Sequence, residues 1–394
     1  MSLWLVSTFG QNPNKTFNWE NPGNTRKLSD RKIVNIWNYG SDNLGRKSNY
    51  NAFDKAVKAL GDQGGIIRFR DGVYLFDRGI SIPNNIVLLG QGIETTLAFE
   101  MTVEMDAISM KGTLDQNQFK LSKSAFVQKT QIEVKNASGF KKGELIRISL
   151  PNSNLTTSGW AKGSIAQITK VKGVNSNSII LEDALRFNFP MNENPIIEKI
   201  KPVENAGISC LQIIAQDSTV APRSTIKLEY TSNCFVKNII SEYCNSAHVE
   251  ISNSYRAEVS GSYFRLTNDV SNSGYGRGIG LQNSSSDCLI ENNIFSFLTH
   301  SILLQSGANG NVIAYNYSVN TYWEKPNEAS NASADILLFG NYPFGNLFEG
   351  NIVQNITIEN QNGSNGPYNT FFRNPAELYG GDMNDNSSDP TNFI

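Results

Sequence analysis

Charge, histidine and long apolar runs are all scarce in this chain, and each scarcity excludes something. Charged residues make up 18% of the 394 positions, and the formal net charge is −2. That balance offers no basic field to a nucleic-acid backbone, and no acidic or basic tail stands apart from the rest. No stretch reaches the ~20 apolar residues that a membrane-crossing helix requires. With two histidines, His248 and His300, there is no Cys/His zinc spacing. The four cysteines are Cys210, Cys234, Cys244 and Cys288. The opening MSLWLVSTFGQ has a brief apolar run at residues 3–6 without a basic start, read either as the remnant of a secretion signal or as a tail.

What the chain has instead is repetition. EVSGSYF (258–264), LIENNIF (289–295), VIAYNYS (312–318) and LFEGNIV (347–353) share an order of apolar, small or polar, then apolar residues. Ser262, Asn293, Asn316 and Asn351 fall at matching places, at intervals of 31, 23 and 35 residues. A minimum near 23 is what a coil of three short strands needs, the excess going into loops. Equivalent residues of stacked coils lie ~4.8 Å apart, so these polar side chains are expected to form a hydrogen-bonded ladder. The fold read from this pattern is all-β: a parallel β-helix, a solenoid whose coils bury their core against one another. Cys234 and Cys288 then stand two coils apart, roughly 9–10 Å, beyond disulfide reach, and read as small buried hydrophobes.

Residues 1–33 are polar and rich in Asn, Pro and Gly, a tail or a strap across the first coil. Residues 34–117 carry a helix and the first coils. Ala52, Phe53, Ala56, Val57 and Leu60 recur at helical intervals, predicting one amphipathic helix over 49–61 that ends near Gly61. Gly64 and Gly65 turn into short strands at 66–69, 73–76 and 86–89. A helix across the apolar end of a stack prevents edge-to-edge growth. Over residues 118–202 the pattern switches. The segments 137–150, 164–174 and 178–187 alternate in period two, predicting a small inserted antiparallel β subdomain. Coils resume over 203–380, and 381–394, rich in Asp, Asn and Ser, reads as a disordered tail.

The segment from Tyr39-Gly40 to Gly90-Gln91-Gly92 resembles the opening of pectate-lyase-like right-handed β-helix proteins, a superfamily that includes phage tailspikes and relatives of polygalacturonases. It carries the end helix, the Gly-Gly turn and a closing Gly-x-Gly, but reads GRKSNYN (45–51) where that family has an acidic, Thr-rich run. Over 230–380, SNSYRAEVSGSYF, YGRGIGLQNSSSDCLIENNIF, HSILLQSGANGNVIAYNYS, NYPFGNLFEGNIVQ and NGPYNTFFRN resemble a subgroup of secreted bacterial β-helix proteins. The resemblance implies a right-handed coil, a polysaccharide substrate and a secreted or cell-surface setting. Likeness to tailspikes implies a homotrimer. Histidine is common in that subgroup where this chain has Phe339 and Asn341.

Counting back from the ladder gives the sharpest constellation. Arg277 precedes Asn293 by the same interval as His300 precedes Asn316 and Asp335 precedes Asn351. Three coils thus place Arg, His and Asp in one column, about 5 Å from neighbour to neighbour. Five residues on, Gln282 and Gln305 stack, with Gly340 continuing. The loops entering the column are long, 266–276 with Tyr275 and 319–334 with Tyr322, Trp323 and Glu324, and aromatic loops beside a sheet make walls for a sugar subsite. Either the column faces solvent as an active centre, or it shares the parity of Ile279 and Leu281 and is a buried, mutually satisfied cluster. His248 is equally open, as a substrate contact or a core residue, whereas Glu349 and Arg373 read as ladder or turn residues.

Three functions fit. A lyase acting on uronic-acid polymers needs a base for the C5 proton and a cation for the carboxylate, His300 and Arg277 here. A hydrolase needs two carboxylates ~5–9.5 Å apart, Asp335 with Asp269 or Glu324. A non-catalytic glycan-binding β-helix needs neither. Lyase chemistry is placed first, with no cofactor; Ca²⁺ is unsupported because Asp269, Asp335 and Glu324 are scattered.

Overall fold

The computed structural model describes residues 18–24, 31–102, 104–215, 224–268, 275–322, 334–360, 362–383 and 392–393. Its short strands pair in parallel between successive coils and line up in three faces. The front sheet has nine strands, among them Ile226–Glu229, Ala247–Ser252, Arg277–Gln282, His300–Leu304, Ile336–Leu338 and Val353–Ile358. A back face stacks Phe235–Lys237, Glu258–Ser260, Leu289–Glu291, Val312–Ala314, Leu347–Glu349 and Thr370–Phe372. A side face stacks Ile240–Glu242, Tyr263–Arg265, Ile294–Ser296 and Tyr317–Val319. Paired back-face residues differ by 23, 31, 23, 35 and 23 positions, so the repeat intervals are true coil lengths. This is the parallel β-helix expected from the repeats, with the right-handed coil that the resemblance implies.

The ladder exists and is longer than the repeats indicated. Asn293 Nδ2 donates to Asn316 Oδ1 (3.0 Å), Asn316 to Asn351 (2.9 Å) and Asn351 to Asn374 (2.8 Å). Each Oδ1 also accepts the backbone N–H of the residue one coil back, as Asn293 does from Ser262 at 3.1 Å. The residue before each rung is left-handed: Gly261, Asn292, Tyr315, Gly350 and Arg373 have φ of 54–62°. That one residue turns the chain from back face to side face, and the amide after it ties the corner to its neighbours. A second ladder, five residues earlier, runs Asn311–Asn346–Asn369 at 2.9 Å per step. Cys288 and Cys234 occupy earlier rungs of that column, both buried and free, and burial pushes each thiol up to about 12.

The apolar core runs the length of the stack, and like side chains sit on like. Phe264 and Phe295 stack at 5.5 Å and Phe348 and Phe371 at 4.3 Å between ring centroids. The helix Tyr50–Leu60 closes one end, burying Ala52, Phe53, Ala56 and Leu60, with Val57 partly buried. Its predicted extent is right to one residue at each end. Asn49 does not cap it; its amide is spent on Asp42, accepting from Asp42 N at 2.7 Å and donating to Asp42 O at 2.9 Å.

Two terminal expectations change. Residues 18–24 are a strap along the outside of several coils, not of the first one alone. Trp19 Nε1 donates to Gly345 O (2.9 Å), Gly23 N to Asp287 O (2.8 Å) and Asn24 N to Glu258 Oε2 (3.3 Å); residues 1–17 and 25–30 lie outside the described residues. At the other end, Ala376–Met383 adds a strand to the front sheet and Asn392–Phe393 pairs with Thr370–Phe372, so the expected disordered tail is in part strand. Residues 384–391 lie outside the description.

The insertion is a six-stranded antiparallel sheet built from strands between Thr113–Lys120 and Ile196–Lys201. It docks on the turns that leave the front sheet. Ser284 Oγ donates to Ser164 O (2.6 Å), and Asn309 Nδ2 to Ala166 O (2.9 Å). Buried Arg186 pairs with Asp287, and Arg256 and Tyr255 both bind Asp183 (3.1 and 2.7 Å). A side wall therefore stands beside the Gln282 and Gln305 end of the front sheet.

Truncating one rung should cost far more than an average surface change. Asn316→Ala strands the amide of Asn293 and the carbonyl of Ile290, so destabilisation on the order of 3 kcal/mol is expected from orphaned buried groups. Unfolding rates in denaturant check this, and an unchanged rate would remove the ladder from the stability argument.

Candidate active site

On the front sheet the register decides which predicted residues meet. Arg277 and His300 are direct partners on adjacent strands, as the column required. Asp335 is not the third member. Ile302 pairs with Ile336, which sets Asp335 beside Ser301 and Ala334 beside His300. The cause is one extra residue in a turn: Leu304 to Val312 takes eight steps, Leu338 to Leu347 nine. The same slip makes Phe339, not Gly340, the successor of Gln305.

That single step also reverses direction. Asp335 is fully buried, accepting from Ser318 Oγ (2.8 Å), Thr321 Oγ1 and Gln354 N, and burial raises its pKa. It is a corner fastener inside the coil. His248 likewise points inward: Nδ1 meets Ser241 Oγ at 2.8 Å, Nε2 meets Leu266 O at 3.1 Å, and the ring lies 5.7 Å from that of Phe264. It is fully buried, and burial lowers its pKa to about 3, so it contacts no substrate.

Arg277 and His300 do not turn into the core, because the alternation breaks at 278, although Arg277 is itself buried. A Cβ added at Gly278 would lie 2.5 Å from the Phe295 ring, in the core, although Ile279 is also core. Two successive inward positions throw Arg277 to the outer face, where Gly280 and Gln282 also point. There Arg277 Nη2 donates to Ser246 Oγ (2.9 Å) and lies 3.6 Å from Glu250 Oε2. Gln282 Nε2 donates to Glu250 Oε1, and Gln305 Nε2 to Gln282 Oε1 (2.7 Å). A Cβ at Gly280 would come within 2.7 Å of Glu250 Oε2, so this glycine leaves room for the carboxylate over the sheet. Gln305, Gln282, Glu250 and Arg277 thus form one polar chain across three strands.

His300 is partly exposed, with Nδ1 3.1 Å from Ala334 O. Nδ1 also lies 3.4 Å from Ala334 N, and the shorter contact, to the carbonyl, favours the Nδ1–H tautomer with Nε2 as acceptor. Burial, with the Arg277 charge adding to it, lowers its pKa to about 4, so the imidazole is neutral near pH 7. Phe339 packs with Leu303, Ala334 and Leu337 on the same face. Asn341 accepts from Thr157 N (3.1 Å) and Ser158 N (3.2 Å) and so fastens the insertion. Of the loop aromatics, Tyr275 leads into the Arg277 strand and Tyr322 is exposed; Trp323, Glu324 and Asp269 lie outside the described residues. Among the described residues no group of three or more His, Cys, Asp and Glu could hold a metal ion.

Glu250 escaped the sequence reading. The signal was the coil offset that superposes Val249 on Ile279 and Ile251 on Leu281, and that same offset sets Glu250 on Gly280.

Low-pH stability follows from the buried ring. An unfolded chain protonates His248 near its ordinary 6.5, whereas the native ring resists until about 3. The native state binds fewer protons in that window, so stability falls with pH from about 6.5 towards 3, by on the order of a few kcal/mol. Denaturant midpoints at pH 7, 5 and 4 should drop for the native protein and drop less for His248→Gln. Parallel curves would refute the assignment.

No family model matches the chain, and no curated protein matches it. Solved structures do. ORF18 of Geobacillus virus E2 superposes with a TM-score of 0.53 at 13% identity, over 92% of this chain and 62% of that one. A mutant tailspike protein of E. coli bacteriophage HK620, in complex with a hexasaccharide, gives 0.51 at 11% identity, over 92% and 55%. A hyperthermoactive exopolygalacturonase from Thermotoga maritima gives 0.46 at 11%, over 90% and 77%. The chain therefore spans under two thirds of the length of the two structures with the higher scores. At these identities the likeness concerns the backbone, and it agrees with the strand register: the chain is a right-handed parallel β-helix of the kind found in tailspikes.

Proposed function

We propose that the protein is a polysaccharide lyase that holds an extended uronic-acid polymer across the outer face of the front sheet. The observation that carries this reading is the pairing of Arg277 with His300, whose ring is held at Nδ1 by Ala334 and kept neutral by burial. The Arg277 guanidinium neutralises the substrate carboxylate and so stabilises charge building at C5. His300 Nε2 takes the C5 proton, the C4–C5 double bond forms, and the bond to the glycosidic oxygen breaks with its electron pair. The imidazolium then returns the proton to that oxygen. Glu250 and Ser246 hold Arg277, while Gln282, Gln305 and Tyr275 line the path of the polymer, with Tyr322 and Trp323 proposed as a wall. The hexasaccharide held by the HK620 tailspike supports a carbohydrate as substrate. Action outside the cell and a homotrimeric assembly belong to the same proposal.

Hydrolysis has less support, because Glu250 is the one carboxylate in the Arg277 chain and Asp335 faces inward. Non-catalytic glycan binding is the second reading, favoured by the low basicity of His300.

On polygalacturonate or alginate, a lyase releases unsaturated, ultraviolet-absorbing ends. His300→Ala should cut that release by about 10²–10⁴-fold, the usual worth of a general base, and Arg277→Ala should act at least as strongly. A base with its pKa near 4 works above that value, so activity should fall as pH drops through about 4. Reducing ends without ultraviolet absorbance, or full activity in His300→Ala, would overturn the mechanism.

A further inference from the structure

The side face carries an apolar strip that the front-sheet chemistry does not use. Ile240, Tyr263, Ile294, Tyr317 and Ile352 are register partners in one outward column over five coils. Ile294, Tyr317 and Ile352 are 46%, 42% and 40% exposed, unusual for side chains in the middle of a sheet. Beyond Ile240 the column continues to Gln212, beside a groove of about 230 Å³ that Ile93 and Leu211 line and Asn238 and Asn292 rim. Near the other end, the Tyr315 ring lies over Gly350 beside Tyr317, its hydroxyl donating to Glu349 Oε1 at 3.2 Å. Tyr263 Oη is 2.8 Å from Ser296 Oγ, which fixes that ring against the sheet.

The strip is one side chain wide. Left-handed turn residues bound one edge, and the Glu242–Arg265 ion pair with Ser296 bounds the other. A standard protein interface engages about 20–30 residues a side, far more than these five. A narrow apolar track with amides along its rim instead suits pyranose rings, whose C–H faces pack on aromatic and aliphatic side chains while their hydroxyls take the amides. Tyr263 and Tyr317 are two strand spacings apart, about 10 Å, roughly the length of a disaccharide in an extended chain. Arg265, the cation beside the track, is held by Glu242 rather than presented to a uronate.

We propose that the side face is a second carbohydrate-binding surface, which takes a neutral β-linked glycan lying along the solenoid axis. It keeps the protein on a polymer while the front sheet stays free.

Affinity electrophoresis tests this, with gels containing hydroxyethylcellulose, xyloglucan or polygalacturonate. The native protein should be retarded by a neutral polymer, with dissociation constants raised about tenfold in Tyr317→Ala and in Tyr263→Ala. Arg277→Ala should be retarded like the native protein, and Tyr317→Ala should keep the front-sheet activity, so the two sites fail separately. Unchanged denaturation midpoints exclude misfolding. The proposal is overturned if neither neutral polymer retards the native protein, or if Arg277→Ala alone abolishes retardation. It is overturned too if sedimentation shows self-association that Tyr317→Ala abolishes, which would give the strip to a second copy of the chain.

Discussion

Everything in this molecule rests on coils lying in register, each backbone hydrogen-bonded to the next at one strand spacing. Parallel strands this short have little stability alone, and a coil has no core until a neighbour covers it. The two asparagine ladders make the register specific. At each asparagine-to-asparagine step they satisfy one backbone donor and one amide of the adjacent coil, so a slipped coil would leave both buried and unpaired. The helix Tyr50–Leu60 and the strap at residues 18–24 act on the same constraint from outside, one by closing an end and the other by tying distant coils.

Register also decides chemistry. Arg277 and His300 belong to successive coils, distant along the chain and adjacent in space, and their value to each other comes from that adjacency. The guanidinium adds to burial in holding the imidazole neutral. Two glycines supply the geometry. Gly278 yields its side-chain space to Phe295 and thereby turns Arg277 outward, while Gly280 yields its own to Glu250. A methyl at either place would clash with these neighbours and displace Arg277 or Glu250.

The molecule divides its faces by composition. The front sheet carries the polar chain from Gln305 to Arg277, walled by an insertion that buried ion pairs hold in place. The side face carries tyrosine and isoleucine in the open. Both follow from one feature of solenoids: a residue type repeated at the coil period becomes a continuous track along the axis.

The sequence by itself determined the repeat, the ladder, the end helix and the inserted antiparallel sheet, because each depends on local spacing that the chain repeats or switches. It brought Arg277 to His300 and Gln282 to Gln305, since those coils have equal turns. It set Asp335 in the wrong column, because a ladder count cannot tell whether one extra residue lies before or after a strand. Here it lies after, between Leu338 and Leu347, and one position in a strand is the difference between solvent and core. Facing was likewise a tertiary decision. Period-two parity put Arg277 with Ile279, and only the crowding of Gly278 by the Phe295 ring, from a strand on another face of the coil, shows that the alternation breaks there. Glu250 and the inward turn of His248 were hidden for the same reason: what a strand residue touches is set by the coils above and below it, whose offset the intervening loops decide.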